Sequence, residues 1–260
     1  GLSRTDSEGC SFGEELARIG YAGDLPCGGR ALGAFFEAHI EQGPILERES
    51  TTIGIVKGAQ GSRWYDVVVR GQDAHAGSTP MPGRRDALVG ASRLIADIQQ
   101  LALSTAEDAV ATVGEMHVLP NSRNTIPGEV RFSVDLRHFD AAVLESMDAG
   151  LGALCERGAE QSSLEVALEQ IWYQPPVEFD ASCINAVSTA AQNLGLSARA
   201  IYSGAGHDAC LISRVAPTSM IFVPCEGGIS HNESESATPE DLAAGCNVLL
   251  HAVLDRAGQS

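Results

Sequence analysis

Between residues 63 and 172 the chain alternates strand and helix signals in an order that leaves few architectures open. Residues 63–70 alternate polar and apolar side chains and are rich in Val, which reads as a strand. Leu88, Ala91, Leu94, Ile95 and Ile98 recur at helical spacing within residues 84–103. Residues 110–119 and 130–137 read as two strands joined by a turn with Pro120-Asn121 and Pro127-Gly128. Residues 140–157 read as a helix with Asp140 as N-cap, and 164–172 as a last strand. The order β-α-β-β-α-β predicts a ferredoxin-like unit. Gly58 and Gly61 bound it on one side and Pro175-Pro176 on the other.

The flanking segments read as α/β. Ser11-Phe12-Gly13-Glu14 has the form of a capping box, opening a helix over 12–19 that stops at Gly20. A strand through His39 and a short strand over 52–56 follow. After the central unit come a helix over 181–194, a strand over 198–202, a short helix after His207 and a strand over 219–223. The last helix opens with Thr238-Pro239-Glu240-Asp241, a cap followed by Pro at the first helical position. The predicted organisation is one layered α/β domain from residues 1–59 and 171–260, with residues 60–170 inserted.

Composition excludes several function classes. A formal net charge of -17 argues against nucleic acid, which needs clustered Lys and Arg. No apolar run is long enough to span a membrane. Seven cysteines are dispersed without a Cys-x-x-Cys pair, which reads as free thiols in a reducing cytoplasm. The polar start at Gly1 without Met reads as a piece of a longer protein or a trimmed tag.

Chemistry concentrates in a few segments. As a strand, Phe36-Glu37-Ala38-His39-Ile40-Glu41 puts Phe36, Ala38 and Ile40 on one face and three titratable groups on the other. Such a row needs partners when buried, and a metal ion is one. A solvated edge strand is the simpler alternative. His75, His207 and His231 sit in Gly-rich polar loops, where either a ligand site or a structural hydrogen bond accounts for them. Gly near His207 would let a ligand approach the backbone at a helix start that favours anions. Arg137 could grip a carboxylate in two-pronged fashion, or pair with Asp135 or Asp140. His117, His138 and His251 have no suggestive neighbours.

Five motifs carry a resemblance. They are Glu37-Ala38-His39-Ile40-Glu41-Gln42-Gly43-Pro44, Ala74-His75-Ala76-Gly77-Ser78-Thr79-Pro80-Met81, Asn124-Thr125-Ile126-Pro127-Gly128 running to Asp135-Leu136-Arg137, Ser203-Gly204-Ala205-Gly206-His207-Asp208-Ala209, and Gly228-Ile229-Ser230-His231-Asn232. In this order they resemble the amidohydrolase branch of the M20 metallopeptidase family: N-carbamoyl-L-amino-acid hydrolases, β-ureidopropionases and allantoate amidohydrolases. The resemblance implies a partial two-metal aminopeptidase-like catalytic domain with an inserted lid that also makes a homodimer. It implies His39 and His231 as metal ligands, one for each of two divalent ions (zinc, manganese or cobalt). It implies His75 as a catalytic histidine that steadies the oxyanion in the partner subunit's site. Gln42, Asn124, Arg137, Gly206 and His207 become the substrate-binding set for a small ureido acid. The family's other metal ligands and its general base have no counterpart here, so the expectation is a chain inactive alone. A non-catalytic binding or dimerisation module is the alternative of another class.

Overall fold

The computed structural model describes residues 1–6, 8–25 and 29–258. The chain divides into two compact units, Gly1–Leu32 and Gly33–Ser260. The first carries one helix, α1 (Phe12–Arg18), none of whose residues is buried. Its capping box forms: Ser11 Oγ accepts from the Glu14 amide, and the Glu14 carboxylate accepts from the Ser11 amide.

The second unit runs β1 (Phe35–Ile40), α2 (Ile45–Arg48), β2 (Ile53–Ala59), β3 (Gly61–Arg70), β4 (Ala74–His75), α3 (Ala87–Thr105), β5 (Val110–Thr112) and β6 (Met116–Leu119). Then come β7 (Thr125–Ile126), β8 (Glu129–His138), α4 (Ala141–Ser162), β9 (Glu165–Gln174), β10 (Val177–Glu178) and α5 (Ala181–Asn193). The chain closes with β11 (Ala198–Ser203), α6 (Asp208–Ile212), β12 (Thr218–Val223) and α7 (Pro239–Ala257).

Two five-stranded sheets organise these elements. The first has the order β1-β12-β2-β10, with β11 also paired to β2. Its central strand β12 is buried at every position. Met220 and Phe222 face a core with Leu46 and Ile201, while Ile221 and Val223 face α5 and α7 through Val187 and Val248. This is the period-2 alternation of a strand covered on both faces. The edge strand β1 runs parallel to β12 and sets Phe222 beside His39. Phe36 and Ile40 pack into the α5/α7 core, which turns Glu37 and His39 to the opposite side.

The second sheet has the order β5-β8-β3-β9, all antiparallel, with β6 also on β8. Val67 and Val69 from β3, Val134 and Leu136 from β8, and Leu94, Ile98, Met147 and Leu151 from α3 and α4 form its buried core. One strand was expected over 110–119, but it is split. Glu115 bonds Ser133 through its carbonyl and, by its amide, the Ser133 hydroxyl, which breaks the ladder between β5 and β6.

The two sheets connect through residues 59–61 and 174–177. A Cβ on Gly58 would sit 2.1 Å from the Val177 carbonyl oxygen, and one on Gly61 2.6 Å from Pro176 Cδ. Close backbone approach explains glycine at both positions. No helix among the described residues is long and apolar enough to cross a membrane. Six cysteines are free thiols, and Cys27 lies outside the described residues.

Candidate active site

The eight residues singled out from sequence fall into three groups. Gln42, Arg137 and His231 line a cavity of about 590 Å³ together with Asp135, Gly204 and Ser230. His39, Gly206 and His207 line a second, of about 500 Å³, with Glu37, Trp172 and Leu211. His75 and Asn124 line neither; His75 is on β4, which pairs with β7, and Asn124 immediately precedes β7. A larger cavity of about 690 Å³, between α2 and the start of α7, contains none of the eight.

The titratable groups Glu37 and His39 on β1, and Glu41 one residue past its end, find most of their partners inside the chain. Glu41 is buried, and its carboxylate accepts from the Ile45 and Leu46 amides at 2.9 and 2.7 Å. It caps α2 and is thereby accounted for. Glu37 accepts from the Ala209 amide at 2.8 Å. The helix start after His207, expected to favour an outside anion, is thus occupied by the chain's own carboxylate.

His39 Nδ1 lies 2.8 Å from the Ile40 carbonyl oxygen. A carbonyl only accepts, so Nδ1 carries the proton and Nε2 keeps its lone pair. The His207 ring is buried, with Nε2 2.7 Å from Ser203 Oγ and Nδ1 3.8 Å from Glu37 Oε1. Burial pushes the His207 imidazole down to about 4, the neighbouring His39 adds to this, and Asp208 opposes it. His207 is therefore neutral at neutral pH.

Arg137 is held from both sheets. Its Nε and Nη2 donate to Asp135, at 3.0 and 2.6 Å to Oδ2, and Nη1 donates to the Gly204 carbonyl at 2.6 Å. The pairing with Asp135 that the sequence left open does form. These contacts use three of the five N–H groups of a guanidinium, so two remain for a ligand. Gln42 and His231, both in the same cavity, have φ of +59° and +55°. Left-handed backbone at non-glycine residues costs about 1–3 kcal/mol and gathers at functional sites.

His75 is exposed, and its Nδ1 accepts from the Gly77 and Ser78 amides, both at 3.1 Å. That fixes the proton on Nε2, a donor pointing away from its own loop. Asn124 ties to the same loop through its carbonyl, which accepts from the Ala76 amide at 2.8 Å.

Sequence reasoning passed over Ser203, the hydrogen-bond partner of His207, and Glu235, which accepts from Ser230 at 2.7 Å. Ser203 could have been found as the residue closing β11, four positions before His207. Glu235 lies in an exposed loop without periodicity, and nothing in the sequence marks it.

The profile described as Peptidase family M20/M25/M40 matches residues 10–255. The chain belongs to this family. Within M20, it is 46% identical to an N-carbamoyl-L-amino-acid amidohydrolase of Rhizobium meliloti over 98% of this chain and 61% of that protein. It is 34% identical to an allantoate amidohydrolase of Escherichia coli over 94% of this chain and 60% of that protein. A crystal structure of a hydantoinase/carbamoylase family amidase from Burkholderia multivorans superposes with a TM-score of 0.93 at 61% identity, covering 99% of this chain and 62% of that one. This M20 chain thus spans about three fifths of the length of the relatives it matches.

The donors present do not by themselves fit a resident metal. Among the described residues no group of three or more His, Cys, Asp or Glu could hold an ion. His39 and His231, expected on either side of one two-metal centre, line different cavities. Phe222 links them: it lines the cavity of His231 and packs edge to face on His39 at 6.5 Å. Both histidines lie past or near the C-terminal ends of parallel-paired strands, the usual place for sites in α/β sheets.

Proposed function

We propose that this chain supplies the substrate-binding part of a hydrolase that cleaves the ureido C–N bond of N-carbamoyl-L-amino acids. The products are the amino acid, CO₂ and ammonia. One observation carries the reading: three residues far apart in sequence, Gln42, Arg137 and His231, line a single cavity of ligand size. A ureido acid has two handles, a carboxylate and a planar urea. The two remaining N–H groups of Arg137 suit the carboxylate. The Gln42 amide suits the urea. The 46% identity to an N-carbamoyl-L-amino-acid amidohydrolase, against 34% to an allantoate amidohydrolase, favours the carbamoyl amino acid.

His75 lies outside the lining of both cavities, with its Nε2–H free of its own loop. In this proposal a second copy of the chain brings His75 and Asn124 to the substrate, and His75 donates to the developing oxyanion. The ribbon that carries them belongs to the inserted residues 60–170, which then act as the lid of a homodimer. His207 stays neutral beside Gly206 and presents no charge to the site. His39 and His231 are the donors this chain would contribute to two divalent metal ions in the full-length protein. Donors beyond these two are required, so the chain alone is expected to be inactive.

The test is a substrate panel on the full-length protein: N-carbamoyl-L-amino acids, N-carbamoyl-β-alanine and allantoate, with ammonia release as readout. Preferred turnover of an N-carbamoyl-L-amino acid is expected. Preference for allantoate, or turnover of none of the three, would overturn the proposal.

A further inference from the structure

We propose that Ser230 and Glu235 are positioning residues that fix which end of the Gln42 amide faces the substrate. The inference rests on the ureido-acid reading of the same cavity.

A short chain of contacts fixes where the protons lie. Gln42 Nε2 lies 2.9 Å from Ser230 Oγ, and Ser230 Oγ lies 2.7 Å from Glu235 Oε2. An ionised carboxylate can only accept. The Ser230 hydroxyl therefore spends its one proton on Glu235. Its oxygen is left to accept, and only the NH2 end of Gln42 can donate to it. With Nε2 turned to Ser230, Gln42 Oε1 is the end left for the cavity.

That choice has a chemical consequence. A bare amide oxygen accepts hydrogen bonds and cannot give them. The terminal NH2 of a carbamoyl group is a donor and matches it. A formyl group of similar size has C–H at that position and offers nothing. A site built to accept from a substrate N–H discriminates against the analogue that lacks it. The relay is thus a specificity device for carbamoyl over formyl amino acids.

The experiment measures kcat and KM of the full-length protein on N-carbamoyl-L-methionine and N-formyl-L-methionine. Wild type is compared with Ser230→Ala, Ser230→Thr and Glu235→Gln. The ratio of kcat/KM between the two substrates should fall about tenfold in Ser230→Ala and Glu235→Gln, through a raised KM for the carbamoyl compound. Ser230→Thr keeps the hydroxyl and should keep the ratio. An unchanged ratio in Ser230→Ala and Glu235→Gln would overturn the inference. Wild type turning over neither compound would defeat the ureido-acid reading instead. In that case the side-chain NH2 resonances of 15N-labelled Gln42 decide: they should shift in both variants, and resonances that stay put would overturn the relay.

Discussion

His39 and His207 stand edge to face, with ring centroids 4.8 Å apart. Two protonated rings this close would repel, and burial makes His207 the neutral member of the pair. The His39 Nε2 lone pair is left free by the bond from Nδ1 to the Ile40 carbonyl. A backbone carbonyl on the far nitrogen is the usual support of a metal-binding histidine. His39→Ala should therefore strip metal from the full-length protein, measured by elemental analysis, and abolish most activity. The metal-free forms of variant and wild type should melt together. Full metal content in the variant would remove His39 from the proposed ligands.

Arg137 joins β8 to the loop after β11 and is already paired with Asp135 through two of its N–H groups. Arg137→Ala should raise KM for a carbamoyl amino acid by a factor of about 10–100, the worth of a charged hydrogen-bond pair. Lys offers one compact charge in place of a fork, so Arg137→Lys should recover little. Substrates lacking the carboxylate should be indifferent to both changes. If KM rises equally for a carboxylate-free amide, Arg137 holds the cavity open and does not read the substrate.

How much of this was legible in sequence depended on periodicity. The alternation over 36–41 correctly sent Phe36 and Ile40 to the α5/α7 core and Glu37 and His39 to the other face. Asp140, Thr238 and the Ser11 capping box all cap helices as expected. Elements too short for a period escaped: α2, β10, and the β4–β7 ribbon with two residues a side. The partners of the titratable row also escaped. A carboxylate in a strand-like pattern looks the same in sequence whether it meets a metal, a solvent molecule or, as for Glu41 one residue past β1, the amides of a helix start four residues on.

Gly58 shows how tightly β2 and β10 pack within the first sheet. It lies on β2 opposite Glu178 of β10, against the Val177 carbonyl. A methyl at 2.1 Å from a backbone oxygen forces the strands apart, since no side chain is there to move aside. Gly58→Ala should destabilise by about 1–3 kcal/mol, seen as a shifted urea midpoint with unchanged slope. Gly152, on α4 with open space around it, serves as the control. Its change to Ala should be neutral or stabilising by up to about 1 kcal/mol. Equal effects at the two sites would contradict the packing argument.

Asp180 gives the fold a pH dependence whose sign is set by geometry. It is the N-cap of α5, accepting from the Ser182 and Cys183 amides at 2.9 and 3.1 Å and from the Ser182 hydroxyl. The Ser182 hydroxyl chiefly, then the two amides, holds its carboxyl below the usual range. A carboxylate with a lower pKa folded than unfolded adds stability above the unfolded value, about 3.9. That contribution is lost as pH falls through the lowered folded value. Asp180→Ala should cost about 1 kcal/mol at neutral pH, and less once the pH is below the folded pKa. Asp180→Asn keeps a cap acceptor without the charge, so it should retain most of the stability and flatten this part of the pH profile. Urea melts of the three forms at neutral and acid pH make the comparison. A cost for Asp180→Ala that is the same at both would mean the carboxylate's charge plays no part in capping α5.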